Sequence, residues 1–174
     1  MLPELPFSES YWLIPGVFLA GEHPTHNNDS SAQRRIRALV KLGISVFYDL
    51  TEKNEDHFGY EKSLFREAEQ VNQVVEYKNL PIRDFTAPSA QNVKSILDLI
   101  DQDIADGKRI YVHCFAGVGR TGTVVGCYLV RHGLSGQAAL ERIAELRQVL
   151  ASRFIRSPEA QSQVDLVLHW KNGQ

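Results

Sequence analysis

The chain has 174 residues, of which 43% are hydrophobic and 23% are charged, and its formal net charge is −2. This length suits a single domain, 1–174, and the hydrophobic fraction is too high for a disordered or fibrous protein. A slightly acidic chain lacks the global positive field that holds nucleic acid or anionic lipid, so we expect neither nucleic acid nor a membrane as a partner.

Cysteine content and the N-terminus point to a cytoplasmic location. The two cysteines, Cys114 and Cys127, are too few for a disulfide scaffold and suit a reducing compartment. Residues 1–10 lack the basic and apolar regions of a targeting signal, and the longest apolar stretch, 124–130, is far shorter than the ~20 residues of a membrane span.

Strand and helix patterns alternate along the chain. A strand or hairpin over 12–20 is broken at Pro15-Gly16, and helical spacing over 30–42 ends at Gly43. Further patterns predict, in order, a strand over 44–50, a helix over 61–71, strand 74–80, helix 90–105, strand 109–113, and helices 121–132, 135–150 and 158–170. We therefore expect an α/β fold with a small, mostly parallel central sheet, helices on both faces and a helical C-terminal third.

A glycine-rich segment follows the strand over 109–113 and contains Gly117-Val-Gly119-Arg-Thr-Gly122. The spacing G-x-G-x-x-G nominally suggests a dinucleotide site, but a second parallel strand is required after the helix, and 133–150 predicts another helix. A purely structural strand-to-helix turn explains the glycines and leaves Cys114, Arg120 and Thr121 unexplained.

An anion-binding loop accounts for every residue of the segment. Backbone N–H groups of residues 115–120 would point inward, with two glycines permitting the required backbone angles. The next helix directs the positive end of its dipole at the same place, and Arg120 supplies a two-pronged donor for phosphate oxygens. In that field we expect the Cys114 thiol to ionise well below its free value of ~8.5 and to act as a nucleophile.

The segment His113-Cys114-x5-Arg120-Thr121 resembles the H-C-x5-R-[ST] signature of the cysteine-dependent protein-tyrosine-phosphatase superfamily, and looks especially like its small dual-specificity branch. The stretch 80–89 resembles the acid loop of that family, with Asp84 lying 30 residues before Cys114. The stretch 157–163 resembles the family's proline-to-glutamine segment, and 14–21 extends the likeness to most of the chain. The resemblance implies a single phosphatase domain that dephosphorylates phosphotyrosine and phosphoserine or phosphothreonine.

The resemblance also implies roles for individual residues. Cys114 would attack phosphorus and form a phosphocysteine intermediate, and Asp84 would be the general acid unless it only begins a turn before the helix at 90. The phosphate would be held by Arg120 and by the loop amides of Phe115, Ala116, Gly117, Val118 and Gly119.

Three further residues are assigned supporting roles. Thr121 would donate its hydroxyl to the Cys114 sulfur, although an ordinary residue in the first helical turn is the alternative. Gln163 is preferred over Gln161 for placing the hydrolytic water, and both are also compatible with plain surface positions. We expect His113 to order the loop, because the preceding strand should direct its side chain away from Cys114.

Surrounding segments predict the substrate and the absence of cofactors. The resemblance places the acidic segment 51–60 at the mouth of the site, where it should disfavour polyanionic substrates. Arg83 would raise the affinity for a second phosphate or an acidic peptide, or would pair with Glu52 or Glu55. We expect a monomer with a shallow mouth that takes a phosphorylated protein or peptide, with a small phosphorylated metabolite as the alternative. No cofactor and no metal are expected, since His23 and His26 with Asn27 and Asn28 are more typical of a solvated loop.

Two rival functions use the same loop. A module that binds a phosphorylated ligand and descends from such an enzyme would be indicated by loss of Cys114, Arg120 or Asp84, and all three are present. Sulfur transfer or arsenate reduction would not need the acid loop, and arsenate reduction usually needs further cysteines near the loop.

Overall fold

A five-stranded sheet forms the centre of the fold in the computed structural model, which describes residues 4–26, 29–55 and 59–174. The spatial order is β1-β2-β5-β3-β4, with β1 antiparallel to β2 and every other neighbouring pair parallel. The strands are β1 (Ser10–Ile14), β2 (Phe18–Gly21), β3 (Val46–Asp49), β4 (Glu76–Asn79) and β5 (Ile110–His113).

Helices cover both faces of this sheet. Trp12, Leu19, Phe47 and Tyr111 pack on one face against the two helices before β4, while the other face buries Phe18, Tyr48 and Val112 against the four later helices. The six helices are α1 (Asp29–Lys41), α2 (Tyr60–Gln70), α3 (Ala90–Ala105), α4 (Gly119–Arg131), α5 (Gly136–Leu146) and α6 (Gln161–His169). The predicted α/β class, with a mostly parallel sheet and a helical last third, is confirmed.

The C-terminal helix boundaries differ from the prediction. The helix expected to run to 150 ends at Leu146, and a 3₁₀ turn at Arg147–Val149 directs the Arg147 side chain into the protein. The helix expected from 158 begins at Gln161, because Ser157 and Pro158 instead cross α4 beside Gly122. Tertiary contacts of these side chains override the helical periodicity.

Loops from four strands meet at one edge of the sheet. Strands β2, β3, β4 and β5 are parallel, so their carboxyl ends lie together, and polar or glycine-rich segments follow each of them. This edge is where α/β proteins place their ligands. Within the described ranges, every helix is too short or too polar to span a bilayer.

Candidate active site

The loop between β5 and α4 has its carbonyl oxygens turned outward. We call residues 114–120 the cradle loop. The Phe115 carbonyl accepts from His23 N–H (2.9 Å), the Gly117 carbonyl from Arg147 Nη1 (3.0 Å), and the Val118 carbonyl from Ser157 Oγ (2.7 Å). No backbone N–H from 115 to 120 donates a hydrogen bond within the part of the chain that the structure describes. N–H groups without an acceptor can donate to an anion, and their use by a phosphate stays a prediction.

Both the backbone conformation at position 117 and the close approach of β2 require glycine there. Its φ is +68°, and a Cβ atom there would lie 2.5 Å from the carbonyl carbon of Gly21 and 2.6 Å from the backbone nitrogen of Glu22. The cradle loop thus packs directly against the end of β2, which a larger residue would prevent.

Cys114 is buried at the carboxyl end of β5, one residue beyond the strand. Helix α4 begins at Gly119, two residues earlier than predicted, so Arg120 lies in its first turn. The Thr121 hydroxyl is buried and makes no hydrogen bond within the described ranges, which leaves it available as a donor.

Glu55 holds the guanidinium of Arg120. Nη1 donates to Glu55 Oε2 and Nη2 donates to Glu55 Oε1, both at 2.7 Å, and Nη1 also reaches the carbonyl of Ile82 at 3.3 Å. The Nε–H is buried and makes no hydrogen bond among the described residues. The two Nη groups are thus held by Glu55, while the Nε–H, which faces Asp84, keeps a hydrogen that a phosphate oxygen could accept.

Burial of the Glu55 carboxyl raises its pKa, but hydrogen bonds from Arg120 and from the Glu52 N–H outweigh burial and hold the pKa below its usual range. Of the alternatives for Arg83, an ion pair with Glu55 is not found among the described residues, where the Glu55 carboxylate binds Arg120. The sequence did not predict that Glu55 binds Arg120. The two residues are 65 positions apart, and short-range sequence patterns cannot pair them.

Asp84 lies on what we call the acid loop, residues 80–89. Its Oδ1 is 3.3 Å from Arg120 Nε and accepts from the Phe85 N–H at 3.0 Å, and the side chain is 49% exposed. Phe85 has a φ of +53°, which is uncommon for an aromatic residue. The structure therefore brings the predicted acid to the cradle loop while leaving it accessible to solvent.

Gln163 and Gln161 have different environments. Gln163 is buried in the first turn of α6, where its Nε2 donates to the Thr86 carbonyl (3.2 Å) and its Oε1 accepts from Ala160 N–H (3.1 Å). A Cβ on Gly119 would come within 3.0 Å of this amide, so Gln163 adjoins the cradle loop. Gln161 instead binds Arg156 and Asp165 on the exposed surface.

His113 is fully buried and belongs to a polar cluster behind the cradle loop. Its Nδ1 lies 3.4 Å from the Cys114 carbonyl oxygen and 3.9 Å from Asp49 Oδ1. Burial lowers the pKa of His113, and the attraction to Asp49 offsets only part of that effect. His113 thus contacts the backbone of Cys114 and the side chain of Asp49, and its supporting role stays a prediction.

His23 also joins this cluster, so the predicted solvated loop is wrong for that residue; Asn27 and Asn28 lie outside the described residues. Its Nε2 is 3.8 Å from Asp49 Oδ2, and His23, Asp49 and His113 offer ligand atoms within 4.8 Å of one another. The backbone N–H of Thr25 donates to His23 Nδ1 at 3.2 Å, so in the neutral ring Nε2 carries the hydrogen. Nε2 then faces Asp49 as a donor and does not fit a metal-ligand role.

Cys127 and Tyr60 are both fully buried. Cys127 lies in the core on α4, where burial raises the pKa of its thiol and keeps it unreactive. Tyr60, in the first turn of α2, is buried against His23 and His113, and the other aromatic of the segment 51–60, Phe58, lies outside the described residues.

A protein-family model described as PTP-SAK, Swiss Army Knife protein, DSP-PTPase phosphatase domain matches residues 8–165. The chain is 33% identical over 117 residues to phosphatidylglycerophosphate phosphatase PTPMT2 of Arabidopsis thaliana, covering 66% of this chain and 48% of the relative. It is 38% identical over 120 residues to the tyrosine-protein phosphatase CDC14 homolog of Schizosaccharomyces pombe, covering 68% of this chain and 22% of the relative. The chain thus spans about half or less of the length of these relatives.

Among solved structures, the crystal structure of Tk-PTP in the active form superimposes with a TM-score of 0.74 at 25% identity, covering 92% of this chain and 95% of that chain. The matched family model includes the cradle loop and the acid loop, whose geometry agrees with the motif that first suggested the resemblance. The chain therefore belongs to the DSP-PTPase phosphatase domain family, within the cysteine-dependent protein-tyrosine-phosphatase superfamily.

Proposed function

We propose that the chain is a dual-specificity phosphatase that hydrolyses phosphoesters through a phosphocysteine intermediate, within a single domain and without cofactor or metal. The main support for this proposal is the arrangement of hydrogen-bonding groups in the cradle loop. Its carbonyl oxygens at Phe115, Gly117 and Val118 bind protein groups on the outer side, while its N–H groups and the Nε–H of Arg120 make no hydrogen bond among the described residues. A fixed set of donors around a thiol suits a phosphoryl group undergoing in-line transfer.

In the first step, the Cys114 thiolate attacks phosphorus while the bond to the leaving oxygen breaks. Asp84 gives its proton to that oxygen, and its contact of 3.3 Å with Arg120 Nε places it next to the group that would hold the phosphate. The amides of 115–119 and Arg120 stabilise the equatorial oxygens through the transition state.

In the second step, water attacks phosphorus and the phosphorus–sulfur bond breaks. Asp84, now ionised, accepts a proton from the water, and Gln163 next to Gly119 orients it. The unbonded Thr121 hydroxyl donates to the departing thiolate. Phosphate leaves, and Cys114 and Asp84 return to their starting protonation states.

Turnover of p-nitrophenyl phosphate in the presence of EDTA tests this proposal. The wild-type protein should turn over, and Cys114→Ser should lose activity while still binding tungstate, because the amides and Arg120 remain. Cys127→Ser is the matched control and should keep activity. Absence of wild-type turnover, or activity of more than a few per cent in Cys114→Ser, would refute the nucleophile assignment.

The substrate proposed first is a phosphorylated protein or peptide. Support comes from relatives named dual specificity protein phosphatase and from a cradle loop whose side chains at 115–119 carry no positive charge for additional phosphates. A phosphorylated lipid or small metabolite is the second candidate, supported by the relative named phosphatidylglycerophosphate phosphatase. Parallel kcat/KM measurements on phosphotyrosine peptides, phosphothreonine peptides and phosphatidylglycerophosphate distinguish the candidates.

A further inference from the structure

A short segment beside the cradle loop exposes an unusual amount of apolar surface. We call residues 149–156 the apolar loop. Val149, Phe154 and Ile155 are 67%, 85% and 47% exposed. Single exposed apolar residues are normal on protein surfaces, but three within one segment of eight residues mark a contact surface.

The same segment carries two unneutralised cations. Arg153 stacks on the ring of Phe154, with Cζ 4.4 Å from the ring centroid, and its Nη1 donates to the carbonyl of Leu150. Arg156 donates to the Glu159 carbonyl and to the Gln161 side chain. Neither guanidinium pairs with a carboxylate within the described ranges, so an apolar tip is flanked by free positive charge.

The base of the apolar loop is rigid. The carboxylate of Glu9 accepts from the Ala151 N–H (2.9 Å) and from Ser152 Oγ (2.5 Å), and Arg147 Nη2 donates to Ser152 Oγ (3.0 Å). These contacts, two of them half-buried, fix the chain at Ala151 and Ser152. A contact surface ordered in advance binds without the entropic penalty of folding a segment.

The residues on either side of the apolar loop donate hydrogen bonds to the cradle loop. Arg147, just before the segment, binds the Gly117 carbonyl, and Ser157, just after it, binds the Val118 carbonyl. The apolar loop is therefore fixed to the cradle loop on both of its sides.

From these observations we propose that the apolar loop docks the protein on anionic phospholipid surfaces, with Phe154 and Ile155 inserted among the lipids and Arg153 and Arg156 bound to headgroup phosphates. Phe154, at 85% exposure and with Arg153 stacked on its ring, protrudes from the surface instead of lining a groove. Protrusions suit a bilayer interface, whereas peptides bind in grooves or along strand edges. The flanking arginines complement the negative potential of the bilayer.

This inference differs from the expectation drawn from overall charge. A net charge of −2 excludes a positive field over the whole protein, but two arginines beside an apolar tip can still make one region of the surface positive. Docking of this kind needs no membrane-spanning helix. The inference is also independent of the proposed phosphatase function, since it requires only the surface.

Vesicle co-sedimentation tests the proposal with extruded phosphatidylcholine vesicles and with vesicles containing phosphatidylglycerol. The wild-type protein should bind the anionic vesicles and not the neutral ones. The double variant Phe154→Ser with Ile155→Ser and the double variant Arg153→Gln with Arg156→Gln should each bind at least about tenfold more weakly. The matched control Val74→Ser, which removes an apolar side chain 86% exposed elsewhere, should bind like wild type.

Each other outcome overturns the proposal. Equal binding to neutral and anionic vesicles, no binding of the wild type, or unchanged binding by both double variants would each do so. Wild-type dimerisation that the double variants abolish, without vesicle binding, would assign the apolar loop to a protein contact instead. Turnover of p-nitrophenyl phosphate in the absence of vesicles should be equal in all four proteins, which separates this test from a failure of the phosphatase proposal.

Discussion

The cradle loop and the acid loop meet at Arg120 but are held in opposite ways. The cradle loop is bound by His23 after β2, by Arg147 after α5 and by Ser157 before α6, and both Cys114 and Arg120 are buried. Within the described chain, residues 83–88 of the acid loop receive one hydrogen bond from outside the loop, from Gln163 Nε2 to the Thr86 carbonyl, and form one ion pair, Asp84 with Arg120.

This difference suits two different tasks. A phosphate site gains from donors that are fixed before the reaction, because no reorganisation is then needed as charge develops. A proton donor must approach different leaving groups and then a water, and segments with few buried contacts are those that move. Changes in the cradle loop should therefore weaken both binding and chemistry, while changes in the acid loop should act mainly on chemistry.

The largest expected effect is at Arg120. Arg120→Lys should lower kcat/KM by about 10³-fold or more. The ammonium group of lysine cannot keep both hydrogen bonds to Glu55 and also donate to phosphate, as the planar guanidinium can. Steady-state kinetics and tungstate titration should both detect the loss. Arg142→Lys, an exposed position on α5, is the control, and equal activity of the two variants would mean that the held guanidinium is not used.

Asp84→Asn should separate chemistry from binding. Loss of the proton donor should lower kcat on alkyl phosphates by about 10²–10⁴-fold, with a smaller loss on p-nitrophenyl phosphate, whose leaving group needs little protonation. Tungstate affinity should change little. The measurement is kcat on the two classes of ester, and equal losses would remove Asp84 from the acid role.

Arg147→Met tests the rigid support of the cradle loop from outside it. The buried Gly117 carbonyl would lose its donor, so we expect a loss of about 1–3 kcal/mol in the free energy of unfolding. A displaced cradle loop should also lower kcat/KM by up to about 10²-fold.

Denaturant titration and kinetics measured well below the unfolding transition should report the two effects of Arg147→Met separately. Partial rescue of kcat/KM by Arg147→Lys is expected, since an ammonium can still donate to the carbonyl. Wild-type kcat/KM in a destabilised Arg147→Met protein would show that the contact supports the fold and not the cradle geometry.

Gln163→Leu should act on the second chemical step. Without the amide beside Gly119, hydrolysis of the intermediate should slow by about tenfold, and a burst of product should precede a lower steady state. Gln161→Leu is the matched control two residues away on the same helix and should behave as wild type. A burst in the Gln161 variant alone would reverse the assignment.

The smallest expected effect is the pH dependence at Glu55. Its pKa is lowered in the folded protein, so the stability contributed by the ion pair with Arg120 is fully present above the unfolded pKa of about 4.3 and is lost as the pH falls through the folded value. Because the carboxylate is partly exposed, the contribution should not exceed about 1 kcal/mol. Urea titrations of wild type and Glu55→Gln should therefore converge below about pH 4 and differ at neutral pH; a constant difference would contradict this account.

Local patterns in the sequence were sufficient for the strands, for α3, which spans the predicted 90–105, and for the cradle loop. Each of these depends on residues close together in the chain. The partners that hold the site could not be predicted in this way: Glu55 lies 65 positions from Arg120, and Arg147 lies 30 positions from Gly117. His23 lies in a polar segment typical of a solvated loop and is buried only because β2 and β5 are adjacent.

The central claim is that Cys114 carries the phosphoryl group between two steps, and trapping that intermediate tests it most directly. The Gln163→Leu protein should be mixed with a radiolabelled phosphate ester, quenched in acid during the burst, digested and analysed by peptide mass spectrometry. The account predicts label on the peptide that contains Cys114 and none in the Cys114→Ser protein. Steady turnover with no labelled peptide, or with label on a different residue, would contradict it.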